Sequence, residues 1–330
     1  MTFYMLPSKM KMYNDRYLMN YIDLLIVDEA GQTSPEVAAA SFALAKKAIV
    51  VGDEFQIPPV WGLCRQLDMA LALDCGVIQQ QEDFSLLEKR GLNASQSSVM
   101  KLALGACPYS KAYKGNTYKG LFLSEHRRCY DEIIRYCNDL VYQNRLEPKR
   151  GSGLKDTKRP EKMKQYPIIG CHDIPTPNSE KVGSSRKNVK EAKEIALWIA
   201  THFGELCDAY GNTDKKIRKE DIIAVITPFK AQANEIRTQL RKAFAFQTVP
   251  VTVGTVHTFQ GAERNIIIFS TTYGANESGF FIDNHTELMN VAVSRAKDAF
   301  WVFGSIDCLQ NGSSASAKGL LCRYVQDNRF

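Results

Sequence analysis

The stretch Leu24-Leu25-Ile26-Val27-Asp28-Glu29 is an unbroken apolar run that ends in two acidic residues. A second apolar run, from Ala48 to Val51, is followed by Gly52-Asp53. Short apolar runs of this kind are typical of strands buried in a parallel sheet. Between the two runs, Ser34-Pro35-Glu36 supplies an N-cap, a proline suited to the first helical position and an early acidic residue. The order strand, helix, strand predicts an α/β fold with a parallel sheet.

The same alternation continues along the chain, although the pattern between Trp61 and Lys119 is weak. Further helices are predicted over 84–90, 131–143, 188–203 and 286–297, with another after Thr227-Pro228. Further strands are predicted over 121–123, 166–170, 221–226, 251–256, 265–270 and 300–303. Because 330 residues are more than one hydrophobic core comfortably fills, we expect two lobes.

The composition is that of a soluble globular protein, with 45% hydrophobic and 24% charged residues. No apolar run approaches the ~20 residues of a membrane span, and the N-terminus lacks the pattern of a secretory signal. Nine cysteines, an odd number without a C-x-x-C pair, argue against a disulfide framework or a zinc knuckle. We therefore expect a cytoplasmic protein with no membrane partner.

The formal charge of +6 permits a polyanionic partner without requiring one. One segment, 145–164, carries eight basic residues against three acidic ones and is predicted to be a loop. Two interpretations of this basic loop remain open. It could attract nucleic acid electrostatically, or it could be a solvated loop that binds nothing.

An acidic pair at the carboxyl end of a buried strand can hold a magnesium ion with one carboxylate and orient water with the other. Taken alone, Asp28-Glu29 could equally be a strand that ends in solvent. The context is more specific, because the pair continues as Asp28-Glu29-Ala30-Gly31-Gln32 and the next strand ends in Gly52-Asp53-Glu54-Phe55-Gln56. Parallel strands that end side by side in such residues form a polar crevice, the place where open sheets bind ligands.

With these two motifs the sequence resembles superfamily 1 helicases. The resemblance is to the branch whose second motif reads D-E-A-x-Q and whose third reads G-D-x-x-Q-x-x-P, as in the nonsense-mediated-decay helicase and related bacterial AAA-domain helicases. Four later segments are similar to further motifs of this family in the same order: Ser124–Arg128, Ile226–Gln232, Val253–Glu263 and Asn290–Lys297. Two departures are Glu125-His126 in place of the usual Gln-Tyr, and His257 where aspartate is common.

The resemblance implies an α/β fold of two RecA-like P-loop NTPase lobes with parallel sheets, the first of them incomplete. Residues 1–123 would be the C-terminal part of the first lobe, with the Walker B and G-D-x-x-Q motifs, and 124–330 the second lobe. The implied function is that of a helicase motor, which couples hydrolysis of ATP with Mg²⁺ to translocation on single-stranded DNA or RNA.

The resemblance also implies roles for single residues. Asp28 would hold magnesium through water, Glu29 would polarise the attacking water and Gln56 would sense the γ-phosphate. Arg127 and Arg295 would act as arginine fingers, since guanidinium is a permanently charged, planar donor for phosphate oxygens.

Two more groups of residues are implied by the later motifs. Gln260, Gly261 and Glu263 are expected near the nucleotide. Thr227, Pro228, Thr255 and His257 are expected to contact nucleic acid, in the sequence-tolerant way that backbone phosphate contacts allow. For His257 an ordinary structural role is the alternative.

A complete member of the family needs a phosphate loop, G-x-x-x-x-G-K followed by Ser or Thr, ahead of the acidic strand. The dipeptide Gly-Lys occurs nowhere in the sequence. We therefore expect that the N-terminal part of the first lobe is missing and that this chain alone is ATPase-deficient. The main alternative is a non-hydrolysing binding module, for nucleic acid or protein, derived from a helicase. A nuclease-linked DNA-processing ATPase is a weaker third possibility.

Overall fold

The computed structural model of the protein describes residues 1–13, 18–213, 217–245, 249–259 and 261–330. The chain divides into two units, Met1–Phe122 and Leu123–Phe330. None of the helices in the described part of the chain has the length and apolarity that a membrane span needs. Gln260, one of the residues expected near the nucleotide, lies outside the described residues.

The first unit is mainly helical and contains two pairs of short strands. Its helices are α1 (Met5–Tyr13), α2 (Pro35–Ala43), α3 (Arg65–Asp74), α4 (Phe84–Arg90) and α5 (Val99–Ala106). Its strands are β1 (Leu25–Val27), β2 (Ala48–Val50), β3 (Ser110–Tyr113) and β4 (Asn116–Lys119).

The predicted strand, helix, strand unit is present as β1, α2 and β2, and β1 pairs with β2 in parallel. One face packs against the helices, where Val27, Ala38 and Val99 are buried. The prediction that both strands are buried is wrong for the other face, where Ile26 is 66% and Ile49 50% exposed. An apolar run predicts a strand, but it does not reveal how many layers cover that strand.

The strand predicted over 121–123 is also wrong. Leu121 and Leu123 lie outside any strand and are 88% and 80% exposed. The pairing in this region is made instead by the antiparallel hairpin of β3 and β4, which the sequence pattern did not predict.

The second unit is built around a parallel sheet. Its strands are β5 (Glu125–His126), β6 (Glu147–Pro148), β7 (Ile169–Asp173), β8 (Glu180–Val182), β9 (Ser185–Lys187), β10 (Ile223–Ile226), β11 (Thr252–Gly254), β12 (Arg264–Ser270) and β13 (Ala296–Gly304). Its helices are α6 (Asp131–Cys137), α7 (Val189–Thr213), α8 (Lys230–Ala243), α9 (Phe280–Asn284), α10 (Thr286–Ser294), α11 (Ile306–Gln310) and α12 (Ala317–Val325).

Five strands form the main sheet in the order β11-β10-β12-β13-β7, and every neighbouring pair is parallel. On one face, Ile268 and Trp301 pack with side chains of α7 and α8. On the other face, Phe269 and Phe300 are equally buried. A parallel sheet covered on both faces is the arrangement expected for α/β proteins, so the predicted α/β fold class with a parallel sheet is confirmed.

Three helices differ in length from their predictions, and one of them, α10, ends at Ser294 rather than at 297 because β13 begins at Ala296. Helix α7 continues to Thr213 rather than ending near 203, because Leu206 and Tyr210 carry its buried face two turns further. Helix α6 ends at Cys137 and is followed by one turn of π-helix, Asn138–Tyr142, where a single helix to 143 was predicted.

Candidate functional site

The carboxyl ends of β1 and β2 bring the first two motifs together. The ladder continues beyond the strands, with Val51 N donating to Val27 O over 2.8 Å and Ala30 N donating to Val51 O over 3.0 Å. Asp28-Glu29 and Gly52-Asp53 therefore lie side by side at one edge of the sheet. We call these four residues the acidic edge.

Two glycines let the backbones at the acidic edge touch. A Cβ atom at Gly31 would lie 2.4 Å from the carbonyl oxygen of Asp53. A Cβ atom at Gly52 would lie 2.9 Å from the amide nitrogen of Gly31. Real Cβ atoms do not approach backbone so closely, so both positions require glycine for packing rather than for an unusual φ.

Glu29 has a left-handed backbone, with φ 54° and ψ 37°. This conformation is uncommon for a residue with a side chain and costs roughly 1–2 kcal/mol. Its amide donates to Asp28 Oδ1 over 2.9 Å, and its Oε2 accepts a 2.8 Å bond from Gln32 Nε2. Strained residues persist where the surroundings fix them, and they cluster at functional sites.

The second loop repeats this arrangement. Asp53 Oδ1 accepts from the amide of Phe55 over 2.9 Å, and Asp53 Oδ2 accepts from Gln56 Nε2 over 3.1 Å. In both loops a carboxylate is held by the carboxamide three residues further on. Gln32 and Asp53 belong to the two motifs, but the resemblance assigns neither of them a role. The hydrogen bonds that they form with Glu29 and Gln56 are visible only in the structure.

The acidic edge fits a magnesium ion that arrives with a phosphate ligand. Asp28 and Glu29 are both exposed, and carboxylate oxygen is the ligand type that magnesium prefers. Within the described part of the chain, no cluster of three or more His, Cys, Asp or Glu could hold a metal ion by itself. That is compatible with Mg²⁺, which usually keeps several waters and binds one or two carboxylates plus substrate phosphates.

In the second unit, the segments that carry Arg127 and Arg295 lie next to each other. Tyr130 N donates to Lys297 O over 3.1 Å, and Arg128 Nη1 reaches Ser294 O over 3.5 Å. Arg127 itself is mostly exposed and forms a 2.6 Å ion pair with Glu125. Arg295, by contrast, is only 3% exposed at the end of α10.

Arg128, which was not predicted as a site residue, contacts one that was. Its Nε donates to Glu263 Oε2 over 2.8 Å, and Lys297 Nζ lies 3.5 Å from Glu263 Oε1. Partial burial opposes ionisation of Glu263, but Lys297 and Arg128 outweigh it and hold its pKa below the usual value. Gly261, two residues earlier, is exposed and has a left-handed φ of 70°.

His126 is a neutral acceptor in this cluster. Its Nε2 accepts a 3.1 Å hydrogen bond from the amide of Cys129. Burial, helped by the charge of Arg128, lowers the pKa of His126 to about 4. At this departure from the family pattern, the uncharged ring of His126 therefore closes the turn that contains Arg127 and Arg128.

The residues predicted to contact nucleic acid follow adjacent strands at one edge of the main sheet. β10 and β11 are paired, and Thr227 N donates to Gly254 O over 3.1 Å, which places Thr227 and Pro228 beside Thr255. His257 lies just beyond, exposed in a short 3₁₀ turn. Thr227 is completely buried, and its hydroxyl bonds to that of Thr272 over 3.0 Å. Its contact with nucleic acid stays a prediction.

The basic loop is held by partners inside the protein. Arg150 donates to Asp298 over 2.5 Å and stacks 3.9 Å from the ring centre of Tyr130, while Lys149 pairs with Glu147 over 2.9 Å. Further side chains of the loop that bond within the chain are Arg145, Arg159, Lys162 and Lys164. Four of its eight positive charges are thus paired with carboxylates, and both interpretations of the basic loop stay open.

Comparison with known proteins identifies the family to which this chain belongs. Residues 108–307, more than half of the chain, match the family model described as an AAA domain. The chain belongs to this AAA domain family.

Relatives of this AAA domain are helicases. It is 24% identical to the DNA replication ATP-dependent helicase/nuclease DNA2 of Gallus gallus, over 89% of this chain and 24% of that protein. It is 23% identical to Helicase sen1 of Schizosaccharomyces pombe, over 87% of this chain and 15% of that protein. It is 24% identical to RNA helicase Mov10l1 of Mus musculus, over 87% and 23%. These matches support a helicase-derived domain of superfamily 1. The chain spans less than a quarter of the length of each of these relatives.

Proposed function

We propose that this AAA domain is part of an ATP-dependent superfamily 1 helicase of the D-E-A-x-Q branch. In this proposal, ATP hydrolysis is coupled to translocation on single-stranded nucleic acid. The observation that carries it is the acidic edge, where Glu29 has a strained backbone and is hydrogen-bonded by Gln32 beside a second carboxylate and carboxamide pair. Neither a strained backbone nor two close glycine contacts is required where a strand simply ends in solvent.

The proposed roles follow from the chemistry of phosphoryl transfer. Bound magnesium would neutralise charge on the phosphate oxygens, and Asp28 would hold it through water. Glu29, fixed by Gln32, would accept a proton from the attacking water. Gln56 would respond to the γ-phosphate, and Arg127 and Arg295 would supply positive charge to it.

Nucleic acid is the proposed polymer ligand, and it would be bound by the residues at the carboxyl ends of β10 and β11. His257 is exposed there, and Thr255 and Pro228 are half-buried. Hydroxyl groups and backbone amides suit phosphate contacts that carry no sequence information. Both a DNA enzyme and an RNA helicase occur among the relatives, so the proposal does not choose between the two polymers.

A second candidate is a non-hydrolysing nucleic-acid or protein binding module. The observation that favours it is the absence of any Gly-Lys dipeptide, and hence of a phosphate loop, from the 330 residues. An arginine finger alone is worth ~10³–10⁵ in turnover, and loss of the phosphate cradle should cost at least as much. We therefore expect negligible ATPase activity from these residues alone.

Phosphate release by the 330-residue chain, with Mg²⁺, ATP and single-stranded oligonucleotide, tests this deficiency. Turnover of ~1 s⁻¹ or more, a typical enzyme rate, would contradict it. Binding to the same oligonucleotide is measured over a range of salt. A salt slope near zero would contradict phosphate tracking in both candidates.

The genomic DNA upstream of the Met1 codon separates the two candidates. An in-frame phosphate loop there would favour the helicase, and the protein that contains it should then release phosphate. In that protein, Glu29→Gln is expected to reduce turnover by ~10²–10⁴-fold, the usual contribution of a general base. Unchanged turnover would remove Glu29 from the mechanism.

A further inference from the structure

A second strongly basic segment lies mostly in the first unit. From Lys89 to Ser124 the sequence contains six Lys and Arg residues and no Asp or Glu. The formal charge of this segment, +6, equals that of the whole chain, so the remainder is neutral overall. The segment contains the hairpin of β3 and β4.

The hairpin has a tight, two-residue turn. Tyr113 pairs with Asn116, and between them Lys114 and Gly115 both have left-handed backbones, with φ 47° and 80°. Positive φ at both central residues defines a type I′ turn, which strongly prefers Asn-Gly or Asp-Gly. A lysine at the first position is strained, and asparagine would reduce this strain. The requirements of the turn therefore do not explain why lysine occurs at position 114.

One face of the hairpin presents tyrosines around a lysine. Lys111 lies directly opposite Tyr118, and Tyr113 lies two residues beyond Lys111 on the same face. Gly120 N donates to Tyr109 O over 3.0 Å, which extends the ladder so that the alternation adds Tyr109 to this face. We call Tyr109, Lys111, Tyr113 and Tyr118 the tyrosine face.

The tyrosine face is accessible to a ligand. Tyr109 is 67% exposed and Lys111 is exposed, while the other two rings are half-buried. Lys114 Nζ lies over the ring of Tyr113, 5.4 Å from its centre, which keeps its charge next to this face. Lys119 belongs to the opposite face and is bonded to Gly105 O over 3.0 Å.

We propose that the tyrosine face binds single-stranded nucleic acid, with bases stacked on the tyrosine rings and phosphates held by Lys111 and Lys114. Exposed aromatic rings interleaved with positive charge are the combination that binds single strands without sequence preference. The segment that carries this face contains no Asp or Glu, so no carboxylate of its own repels phosphates. The inference rests on the proposed function in one respect, that nucleic acid is the ligand.

The test measures binding of fluorescent dT20 and rU20 oligonucleotides to the 330-residue chain by anisotropy. Tyr109→Ala should weaken binding about fivefold or more, the effect of losing one stacked base, whereas Tyr109→Phe should stay within about twofold of the natural chain. Lys111→Ala should make the salt slope shallower by about 0.7, one phosphate contact to a single strand.

Matched controls come from outside the hairpin, in the same unit. Tyr21→Ala removes a ring that is 65% exposed, and Lys47→Ala removes an exposed lysine, so neither should change the affinity by more than about twofold. An abasic oligonucleotide separates stacking from charge, because Tyr109→Ala should not weaken its binding. Urea unfolding midpoints check that each variant is folded.

The outcomes distinguish this inference from the proposed function. If the natural chain binds the oligonucleotides but Tyr109→Ala and Lys111→Ala bind equally well, the tyrosine face is not a binding site, and the proposed function stands. If the natural chain binds neither oligonucleotide, nucleic acid is the wrong ligand and both proposals fail. Equal binding of poly-glutamate and dT20 would point to an acidic protein partner and would also overturn the inference.

Discussion

At the scale of single residues, the acidic edge depends on two glycines, because a side chain at either position would push the loops apart. Gly31 and Gly52 allow two loops to meet backbone to backbone, and this contact places the carboxylates of both motifs at one edge. The glycines are therefore as much a part of the candidate site as Asp28 and Glu29. Their packing role is separate from the positive φ that usually explains a glycine.

Replacement of Gly31 by alanine should disturb this contact, because the new Cβ would lie 2.4 Å from the carbonyl oxygen of Asp53. We expect a loss of about 1–3 kcal/mol in the free energy of unfolding, the usual cost of overpacking. Gly62→Ala is the matched control, since a Cβ there meets nothing within 4 Å. Urea unfolding measures both, and equal midpoints would show that the loops separate without cost.

His126 should make stability depend on pH. Its pKa is about 4 in the fold and rises to the ordinary value of about 6.5 on unfolding, so the unfolded chain takes up the proton first. The contribution of His126 is complete above pH 6.5 and is lost as the pH falls toward 4. We expect a loss of about 1–2 kcal/mol between pH 6.5 and 4.5.

His126→Gln provides the comparison for this loss. The carboxamide oxygen can still accept the hydrogen bond from Cys129, but it does not titrate. The free energy of unfolding of this variant should fall less steeply over the same pH range, as measured by urea titrations. Identical pH profiles for the two proteins would mean that His126 does not contribute.

At the scale of elements, a buried carboxyl joins α7 to the end of β12. Glu191 in α7 is fully buried and accepts bonds from the hydroxyl of Ser270 and, over 2.9 Å, from the amide of Thr272. Thr272 has a left-handed φ of 69°, rare for a β-branched residue. Glu191 thus fixes the backbone just beyond the sheet edge, where Thr272 bonds to Thr227.

This carboxyl should give a pH dependence of opposite sign. Burial is the main cause that raises the pKa of Glu191 to about 8, although hydrogen bonds from Ser270 and Thr272 oppose it. The folded form binds the proton more tightly than the unfolded form. The contribution of Glu191 to the free energy of unfolding is therefore complete below the ordinary pKa of about 4.5 and is lost as the pH rises to about 8. The slope is at most about 1.4 kcal/mol per pH unit.

Glu191→Gln should remove this decline, since glutamine can accept the same bonds without a charge. Glu194→Gln, on the same helix and only half-buried, is the control and should keep it. Thermal unfolding at pH 5 and pH 8 would reveal the difference. A variant that loses stability between these pH values as steeply as the natural chain would contradict the assignment.

Several elements with a strong apolar pattern were predictable, although the apolar run 121–123 does not form a strand. The strands at β10 and β12 and the helix α4 lie where the sequence places them. The β3–β4 hairpin was missed because its residues do not alternate between polar and apolar and its turn is Lys-Gly rather than Asn-Gly. Periodicity measures burial, so it does not detect strands that lie on the surface.

The candidate site was also predictable only in part. Parallel strands place Asp28 and Asp53 at one edge from topology alone. The left-handed backbone of Glu29 and its bond to Gln32 lie beside a contact between loops more than twenty residues apart, and no local pattern encodes that contact. For the same reason the sequence does not predict the ion pair of Arg150, since its partner Asp298 is remote in the chain.

At the scale of the whole molecule, the two units differ in how completely their sheets are covered. In the second unit, the central strands β12 and β13 are buried on both faces. In the first, Ile26 and Ile49 remain exposed on one face of β1 and β2. Hydrophobic burial is the main stabilising contribution to folding, so the units should differ in stability.

A polypeptide of residues 123–330 should therefore fold by itself and unfold cooperatively on heating. It contains His126 and Glu191, so both pH effects should persist in it. Residues 1–122 alone should unfold at a lower temperature and bind a hydrophobic dye through the exposed strand face. Circular dichroism and dye fluorescence measure these properties, and a disordered 123–330 polypeptide would contradict the expectation.

The left-handed backbone of Glu29 also decides which substitutions are informative. Glycine would delete the carboxylate and simultaneously relax the main chain, so that a stabler but inactive protein would leave two causes entangled. Glutamine preserves side-chain length and main-chain geometry alike, and any difference it produces belongs to the lost charge. Where conformation and chemistry reside in one amino acid, the isostere is the substitution that tells them apart.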